Sequence, residues 1–362
     1  MKERRKRNMS RTGLLFMFCL LMLCGCAQIT GFMENTEVSG REVESLAAEK
    51  EDDTVLLGGM PVGIYMETDG VLVLDTEKMT GMDRKEYTPA QGVVSSGDYI
   101  TEVNHQKIEG KKQLMDLVEH LDGEKVLLTV RRENTILEKK LTPVQISKGN
   151  YRLGIWVRDN VQGLGTITFL TKNNRFAALG HGIHDIDTST LLTIKRGTLY
   201  RTSIQKVQKG SKGNPGTMEG IIVYNRFHRL GVIEKNTDAG IYGELNSDRS
   251  WIGEEVPIQV AKKEEIKTGE ARIRCYIDGE VKEYTICITQ IDKESDQVNK
   301  GMVIQVTDTE LLEKTGGIIQ GMSGSPIIQN GKLIGAVTHV FVQDSTKGYG
   351  IFIENMLKEE ES

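Results

Sequence analysis

Residues 150–362 consist of short apolar runs separated by Gly, Asn-Gly and Asp-Gly turns, and this pattern constrains the fold more than any other feature of the chain. The runs include LGTITFL, GIIVYN, YTICITQI and KLIGAVTHVFV, with little helical periodicity between them. Many short strands at regular spacing, bounded by turn residues, are typical of an all-β barrel or sandwich. We therefore predict a mainly β fold for this part of the chain.

The length and the charge of the chain limit what it can be. A chain of 362 residues is long enough for two domains. Its formal net charge is −5, but residues 1–12 carry six Lys or Arg and one Glu, a net of +5, so the remainder carries −10. Because binding to phosphate backbones needs clustered cations, this acidic body argues against nucleic acid as a partner.

An uncharged apolar segment of 15 residues, Gly13–Ala27, follows the basic N-terminus. It is shorter than the roughly 20 residues of a membrane-spanning helix, and it fits the apolar region of a secretory signal. We predict a signal or membrane anchor over residues 1–27, which places everything after residue 30 outside the cytoplasm. Two outcomes stay open: an anchor that is uncleaved or self-released, and a signal that is cleaved or lipidated at Cys26.

Residues 54–147, which follow an acidic tether at residues 28–53, contain the pattern G-D-x-I-x-x-V-N-x-x-x-I as Gly97, Asp98, Ile100, Val103, Asn104 and Ile108. This pattern resembles the signature of the PDZ family, and we predict a PDZ domain over residues 54–147. PDZ domains are α+β and bind an extended peptide as an added strand at a sheet edge. Their peptide-binding loop is expected before the second strand, at Val62, Gly63 and Ile64. The alternative is a domain that only positions the next one.

Two cysteines lie in the body of the chain, in a predicted hairpin around Asp278-Gly279. A two-residue turn places Cys275 opposite Lys282 and offsets the two thiols by about five residues along the ladder. Thiols at that spacing are too far apart for a disulfide. We predict that Cys275 and Cys287 pack as small apolar side chains.

The motif GMSGSP at residues 321–326 is the strongest indication of chemistry. A tight Gly-x-Ser-Gly loop entering a strand exposes the serine hydroxyl, as in trypsin-like peptidases, and we predict a trypsin-like all-β barrel peptidase domain over residues 150–362. The N–H groups of Gly321 and Ser323 would form an oxyanion hole. Asn330-Gly331 predicts a hairpin that returns Thr338 past Ser323. A glycine-rich turn without chemistry is the alternative.

A serine nucleophile needs a base to accept its proton. His181 ends a run of small residues, FAALGH, and is the best candidate for that base. His184 and the aspartates after it match the spacing of zinc ligands only weakly, and we predict no metal. At this point the carboxylate that orients the base stays open among four residues, Asp185, Asp187, Asp238 and Asp308.

The segment VTDTELLEKTGGIIQGMSGSP, taken with the Gly-His pair at 180–181 and the PDZ signature, resembles the SpoIVB peptidases of endospore-forming bacteria. The resemblance implies a triad of His181, Asp308 and Ser323, without metal or cofactor. It also implies self-cleavage near the N-terminus and release from the forespore inner membrane into the space between forespore and mother cell. The implied substrate is a membrane-bound regulatory protein whose cleavage leads to pro-sigma-K processing. The chain is then a sporulation signalling serine endopeptidase.

Two other functions fit the same residues. A general envelope protease of the PDZ–trypsin type would degrade unfolded proteins broadly, whereas a signalling protease would cut one partner. A PDZ-bearing adaptor with an inactive peptidase fold would act by binding only, although His181, Asp308 and Ser323 are all present.

Overall fold

The computed structural model describes residues 54–362. The predicted signal segment at residues 1–27 and the tether at residues 28–53 lie outside the described residues. No helix within 54–362 combines the length and the apolar character needed to cross a membrane.

The described part of the chain is dominated by β-structure. Its strands, in chain order, are β1 Thr54–Leu57, β2 Pro61–Thr76, β3 Met79–Thr80, β4 Glu86–Tyr87, β5 Tyr99–Val103, β6 Gln106–Lys107, β7 Val126–Arg132, β8 Thr135–Leu141, β9 Val144–Ser147, β10 Asn150–Arg152, β11 Ile155–Leu170, β12 Arg175–Ala178, β13 Ile194–Gln208, β14 Thr217–Ile222, β15 Arg229–Thr237, β16 Gly240–Leu245, β17 Pro257–Val260, β18 Gly269–Ile277, β19 Glu280–Ile291, β20 Met302–Val306, β21 Pro326–Gln329, β22 Lys332–Phe341 and β23 Asp344–Phe352. Its helices are α1 Lys111–Glu119, α2 Thr309–Thr315 and α3 Ile353–Glu361, with a 3-10 turn at Lys263–Glu265.

Two closed barrels of antiparallel strands form the body of the molecule. The first runs β2-β11-β12-β16-β15-β13, and β13 pairs back with β2. The second runs β18-β19-β20-β23-β22-β21, and β21 pairs back with β18. Closure leaves few free sheet edges. The prediction of a mainly β, barrel-forming chain is confirmed.

The alternation of residues along β18 explains which of its side chains pack in the core of the second barrel. In β18, Ile273, Cys275 and Ile277 are buried while the residues between them are more exposed. This alternation is the side-chain period of a strand that buries one face. The predicted hairpin register holds, with Cys275 opposite Lys282. The Cys275 thiol is buried and free, and it packs as an apolar side chain in the barrel core.

A third unit is inserted between the first two strands of the first barrel. Strands β2 and β11 have 16 residues each and extend beyond the barrel. Their outer parts, residues 72–76 and 155–158, pair with each other, and β2 also pairs there with β5. This unit has its own core, which includes Val71, Ile100, Ile108, Leu114, Leu128 and Val130.

The predicted boundary near residue 150 therefore does not separate the units. Residues 62–67 of β2 pair with β11 on one side and β13 on the other, inside the first barrel. β1 also pairs with barrel strand β11 and with β17. Because each long strand belongs to two units, a division of the sequence into consecutive domains misses the arrangement.

Candidate active site

The GMSGSP loop is held by the barrel strand β11. Thr166 N donates to the Ser323 carbonyl at 2.9 Å, and Thr166 Oγ1 donates to the Gly321 carbonyl at 2.8 Å. Thr168 Oγ1 donates to the Gly324 carbonyl at 2.8 Å. These contacts come from the first barrel, whereas the loop leads into β21 of the second. The serine therefore lies where the two barrels meet.

Two glycines give this loop its shape. Gly321 and Gly324 have φ of 102° and 94°, a region that L side chains rarely adopt. A Cβ atom on Gly324 would lie 2.0 Å from the Thr166 carbonyl oxygen. A side chain at position 324 would thus push the loop away from β11 and displace Ser323.

The backbone donors predicted for the oxyanion hole are available. Among the hydrogen bonds of residues 54–362, none has the N–H of Gly321 or of Ser323 as its donor, while Gly324 N donates to Val337 O. Free N–H groups of the nucleophilic residue and of a residue just before it can stabilise the oxyanion of a tetrahedral intermediate.

The predicted hairpin brings Thr338 to the serine. Gln329 pairs with Lys332, the register of a two-residue turn at Asn330-Gly331, but a bulge at Ile327/Ile328 shifts the next pairs by one residue, so that Ser325 O accepts from Val337 N. Ser323 Oγ donates to the Thr338 carbonyl at 2.7 Å. This carbonyl holds the hydroxyl in the resting structure.

His181 reaches the same place from the first barrel. It follows β12, and the preceding Gly180 packs against the Thr338 side chain. Its ring stacks on that of His339, with centroids 4.5 Å apart. Because Ser323 contacts Thr338 and His181 contacts the adjacent His339, the structure brings the predicted nucleophile and the predicted base to one segment of β22.

The imidazole of His181 is oriented by a backbone carbonyl. Nδ1 lies 2.8 Å from Gly182 O, which can only accept, so Nδ1 carries the proton and Nε2 carries the lone pair. Burial lowers the pKa of His181 below its ordinary value. The ring is thus kept in the neutral form that a general base requires.

Asp308 does not contact His181. Its Oδ1 accepts from Leu311 N at 3.1 Å at the start of α2, and its Oδ2 accepts from Thr285 N at 3.2 Å. A side chain in this position is a helix N-cap. The structure therefore brings His181 and Ser323 to adjacent residues of β22 but places the third residue of the predicted triad in a capping role.

The other three aspartates considered from the sequence have separate surroundings. Asp185 is buried and, with Asp187, pairs with Arg158. Asp238, in the β15–β16 turn, lies 3.6 Å from His184 Nε2. Within the described residues no three His, Cys, Asp or Glu side chains converge in a way that could hold a metal.

The residues predicted to bind a peptide, Val62, Gly63 and Ile64, lie inside the first barrel. Val62 and Ile64 are buried in its core, and β2 is paired on both edges at this point. An added strand needs a free edge, so this placement is wrong. Sequence spacing alone could not show it, because the inserted unit begins only at the outer part of β2, from Val71 onward.

A groove of about 750 Å³ lies instead between α1 and the start of β11. Leu114, Met115 and Val118 line it from the helix, and residues 151–157 line it from the other side. The sequence here is YRLGIWV, in which Gly154 has a φ of 70°. Within residues 54–362, strand residues 155–158 pair only with β2, so their other edge is open.

The strand β14 supports the oxyanion loop from the first barrel's side. Met218 N donates to Gln320 O at 2.9 Å, and the buried Met218 side chain packs beside Gly321. Nothing in the sequence singled out Met218 or the carbonyls of Gly182 and Thr338. Backbone acceptors and packing contacts carry no residue signature that could have indicated them.

We predict that Met218→Ala lowers kcat by up to about 100-fold with little change in KM. Removing one oxyanion donor costs about 10²–10³ in kcat, and loosening Gly321 should cost somewhat less. Steady-state kinetics on a fluorogenic peptide separate the effect on kcat from the effect on KM. Met218→Leu, whose side chain fills the same space, should restore most of the rate. A rise in KM at unchanged kcat would contradict a role in the oxyanion loop.

We expect Asp308→Asn to retain activity within about tenfold, because asparagine also caps helices well. Asp308→Ala should destabilise the fold by about 0.5–2 kcal/mol through loss of the cap. Thermal melts and peptide hydrolysis of both variants check this. A loss of a thousandfold or more in Asp308→Asn, at unchanged stability, would show that Asp308 acts on His181 during turnover.

The low pKa of His181 predicts activity into mildly acidic solution. The base must be neutral, and burial moves its protonation below the ordinary value of 6.5. His339, in contact with it, has its pKa lowered to about 4 by burial and by His181, Lys300 and His184, so neither ring gains a proton near neutral pH. The acidic midpoint of kcat/KM should lie below pH 6.5, and a midpoint at pH 7 or above would contradict this account.

The chain is similar to part of a curated protein and to several proteins of known structure. A Helicobacter pylori protein described as "Putative zinc metalloprotease" is 34% identical over 83 residues, 20% of this chain and 23% of that one, so the chain spans under a quarter of this relative. The HtrA-type protease AlgW with a tripeptide shares 12% identity (TM-score 0.33, 54% of each chain). The thermostable serine protease AL20 from an extremophilic microorganism shares 11% (TM-score 0.33, 56% of this chain and 92% of that one).

A family model covers most of the chain after residue 148, including the candidate site. Residues 149–357 match the SpoIVB peptidase S55 model, more than half of the chain. The matched range includes His181, Asp308 and Ser323. The match supports the prediction of a serine endopeptidase and confirms the family inferred from the sequence: the chain belongs to the SpoIVB peptidase S55 family.

Proposed function

We propose that the protein is a sporulation signalling serine endopeptidase that cleaves itself and a membrane-bound regulatory protein, leading to pro-sigma-K processing. The observation that supports the chemistry is that Ser323 and His181, from different barrels, contact the adjacent residues Thr338 and His339. The signalling role rests on membership of the SpoIVB peptidase S55 family. The proposed place of action is the space between forespore and mother cell, with the N-terminal segment as the membrane anchor.

The proposed reaction is acyl transfer. The Ser323 hydroxyl leaves Thr338 O, gives its proton to His181 Nε2 and attacks the peptide carbonyl. The N–H groups of Gly321 and Ser323 stabilise the oxyanion. His181 then gives the proton to the leaving amine, and water repeats the sequence to release the acyl group. Gly182 O holds the tautomer throughout.

We also propose that the groove beside α1 recruits a peptide, as the PDZ resemblance implies. The open edge at residues 155–158 can accept an added strand, and Leu114, Met115 and Val118 provide the apolar wall. Among the hydrogen bonds of residues 54–362, none has the N–H of Leu153 or Gly154 as its donor. Such N–H groups suit a C-terminal carboxylate. Met115→Glu should weaken binding of a labelled C-terminal peptide at unchanged hydrolysis of a short substrate.

The deciding experiment is mass spectrometry of the mature N-terminus of the full chain in membranes, compared between the native protein and Ser323→Ala. We expect the native protein to lose its N-terminal segment, and the variant to keep it until active protein is added. If the Ser323→Ala variant loses its N-terminal segment as readily as the native protein, the enzyme hypothesis is wrong. Broad digestion of unfolded casein, without trimming, would favour the general envelope protease instead.

A further inference from the structure

The loop that links β14 to β15 exposes apolar side chains to solvent. Its sequence over residues 221–229 is IIVYNRFHR. The exposed fractions are 56% for Ile221, 44% for Val223, 46% for Tyr224 and 78% for Phe227. Four large apolar residues exposed within seven positions form a patch of the kind that marks an interaction site.

The same region is the basic part of an acidic protein. Residues 194–230 contain eight Lys or Arg and one carboxylate, Glu219, whereas the whole chain has a net charge of −5. Within the described residues, six of these cations have no carboxylate within 4 Å, namely Arg201, Lys206, Lys209, Lys212, Arg226 and Arg229. Arg201 lies beside the loop, since its N–H donates to His228 O at 2.7 Å. Positive charge and apolar surface therefore coincide.

The tip of this loop is preorganised. Asn225 Oδ1 accepts from the N–H groups of Phe227 at 3.0 Å and of His228 at 3.1 Å. The Arg226 guanidinium lies over the Phe227 ring, 4.7 Å from its centroid. A turn fixed in this way presents Phe227 outward and has little conformational entropy to lose on docking.

We propose that the 221–229 loop, together with Arg201, docks on an anionic phospholipid surface. Phe227, Val223 and Ile221 enter the interface between headgroups and acyl chains, with Tyr224 at headgroup level. Arg201, Arg226 and Arg229 face lipid phosphates. Aliphatic side chains among the cations favour a lipid surface over nucleic acid, which is recognised by charge and stacking.

The position of the loop suits this role. It precedes β15, and the turn with Asp238 follows β15, a strand of nine residues. At about 3.3 Å per residue the two ends lie roughly 27 Å apart. The other end of the loop is nearer the site, because Ile221 follows Met218, which packs beside Gly321, by three residues, or about 10 Å of strand. Docking through the loop therefore brings the oxyanion loop close to the lipid surface.

The test uses the full chain in nanodiscs, so that the proposed N-terminal anchor is part of every sample. Fluorescence of a Phe227→Trp variant is measured with brominated lipids, and the native Trp156 and Trp251 give the background. We expect quenching at least twofold greater in phosphatidylglycerol than in phosphatidylcholine. Arg226→Glu in the same chain should abolish the difference, whereas Lys293→Glu, an equal charge change at a distant exposed site, should not.

Each other result overturns the proposal. Equal quenching in both lipids would exclude recognition of anionic headgroups, and no quenching would exclude insertion of the loop. A fluorescence shift on adding polyglutamate, without quenching by lipid, would assign the loop to an acidic protein partner. Unchanged thermal melting of Arg226→Glu verifies that the variant is folded.

Discussion

Ser323→Ala is expected to lower kcat/KM for peptide hydrolysis by about 10⁴–10⁶-fold, the loss typical of removing a serine nucleophile. The fold should be unaffected, because the side chain makes one hydrogen bond, to Thr338 O. The loop itself is held by backbone contacts from β11 that alanine retains. The measurement is hydrolysis of a fluorogenic peptide, together with labelling by a fluorophosphonate that reacts only with an activated serine.

The chain offers a matched control two residues away. Ser325 is buried, and its Oγ has no hydrogen-bond partner in the described structure. Ser325→Ala should therefore keep full activity and fluorophosphonate labelling. Equal losses in the two variants would mean that the loop, and not the Ser323 hydroxyl, is what alanine disturbs.

His181→Ala should lower kcat/KM by about 10⁴-fold or more, because the serine then has no base to accept its proton. The residual rate should rise with hydroxide concentration, as expected when solvent replaces the missing base. The same assay at several pH values measures both effects.

His184 provides the contrast for this experiment. It lies three residues further on, is 41% exposed, and faces Asp238. His184→Gln should stay within about tenfold of the native rate. If His184→Gln were inactive and His181→Ala active, the base would have been assigned to the wrong histidine.

The parts of the site that depend on local chain chemistry could be predicted from the sequence. The glycines of GMSGSP fix their own loop through positive φ, and Asn330-Gly331 fixes the hairpin that returns Thr338. These features depend on residues close together in the chain. The stacking of His181 on His339 needed the closure of both barrels, which periodicity does not specify.

The predictions that the structure does not support concern residues whose surroundings depend on pairing between distant segments of the chain. Val62 and Ile64 have the apolar pattern of any strand, and only the pairing of β2 with β11 and β13 shows that they line a barrel. The resemblance implies that Asp308 is the triad carboxylate, but an aspartate at this position can equally accept hydrogen bonds as a helix N-cap. Its contacts with Thr285 N and Leu311 N decide for the cap in the resting structure.

The sharing of β2 between two units limits where the chain can be cut without loss of activity. A polypeptide starting at residue 150 would keep the nucleophile and the base, yet β11 and β13 would each lose their common neighbour, and the barrel would open along two unpaired edges. Any maturation that leaves a working protease must therefore sever the chain upstream of Pro61, and the pairing of β1 with β17 moves that limit to about Thr54.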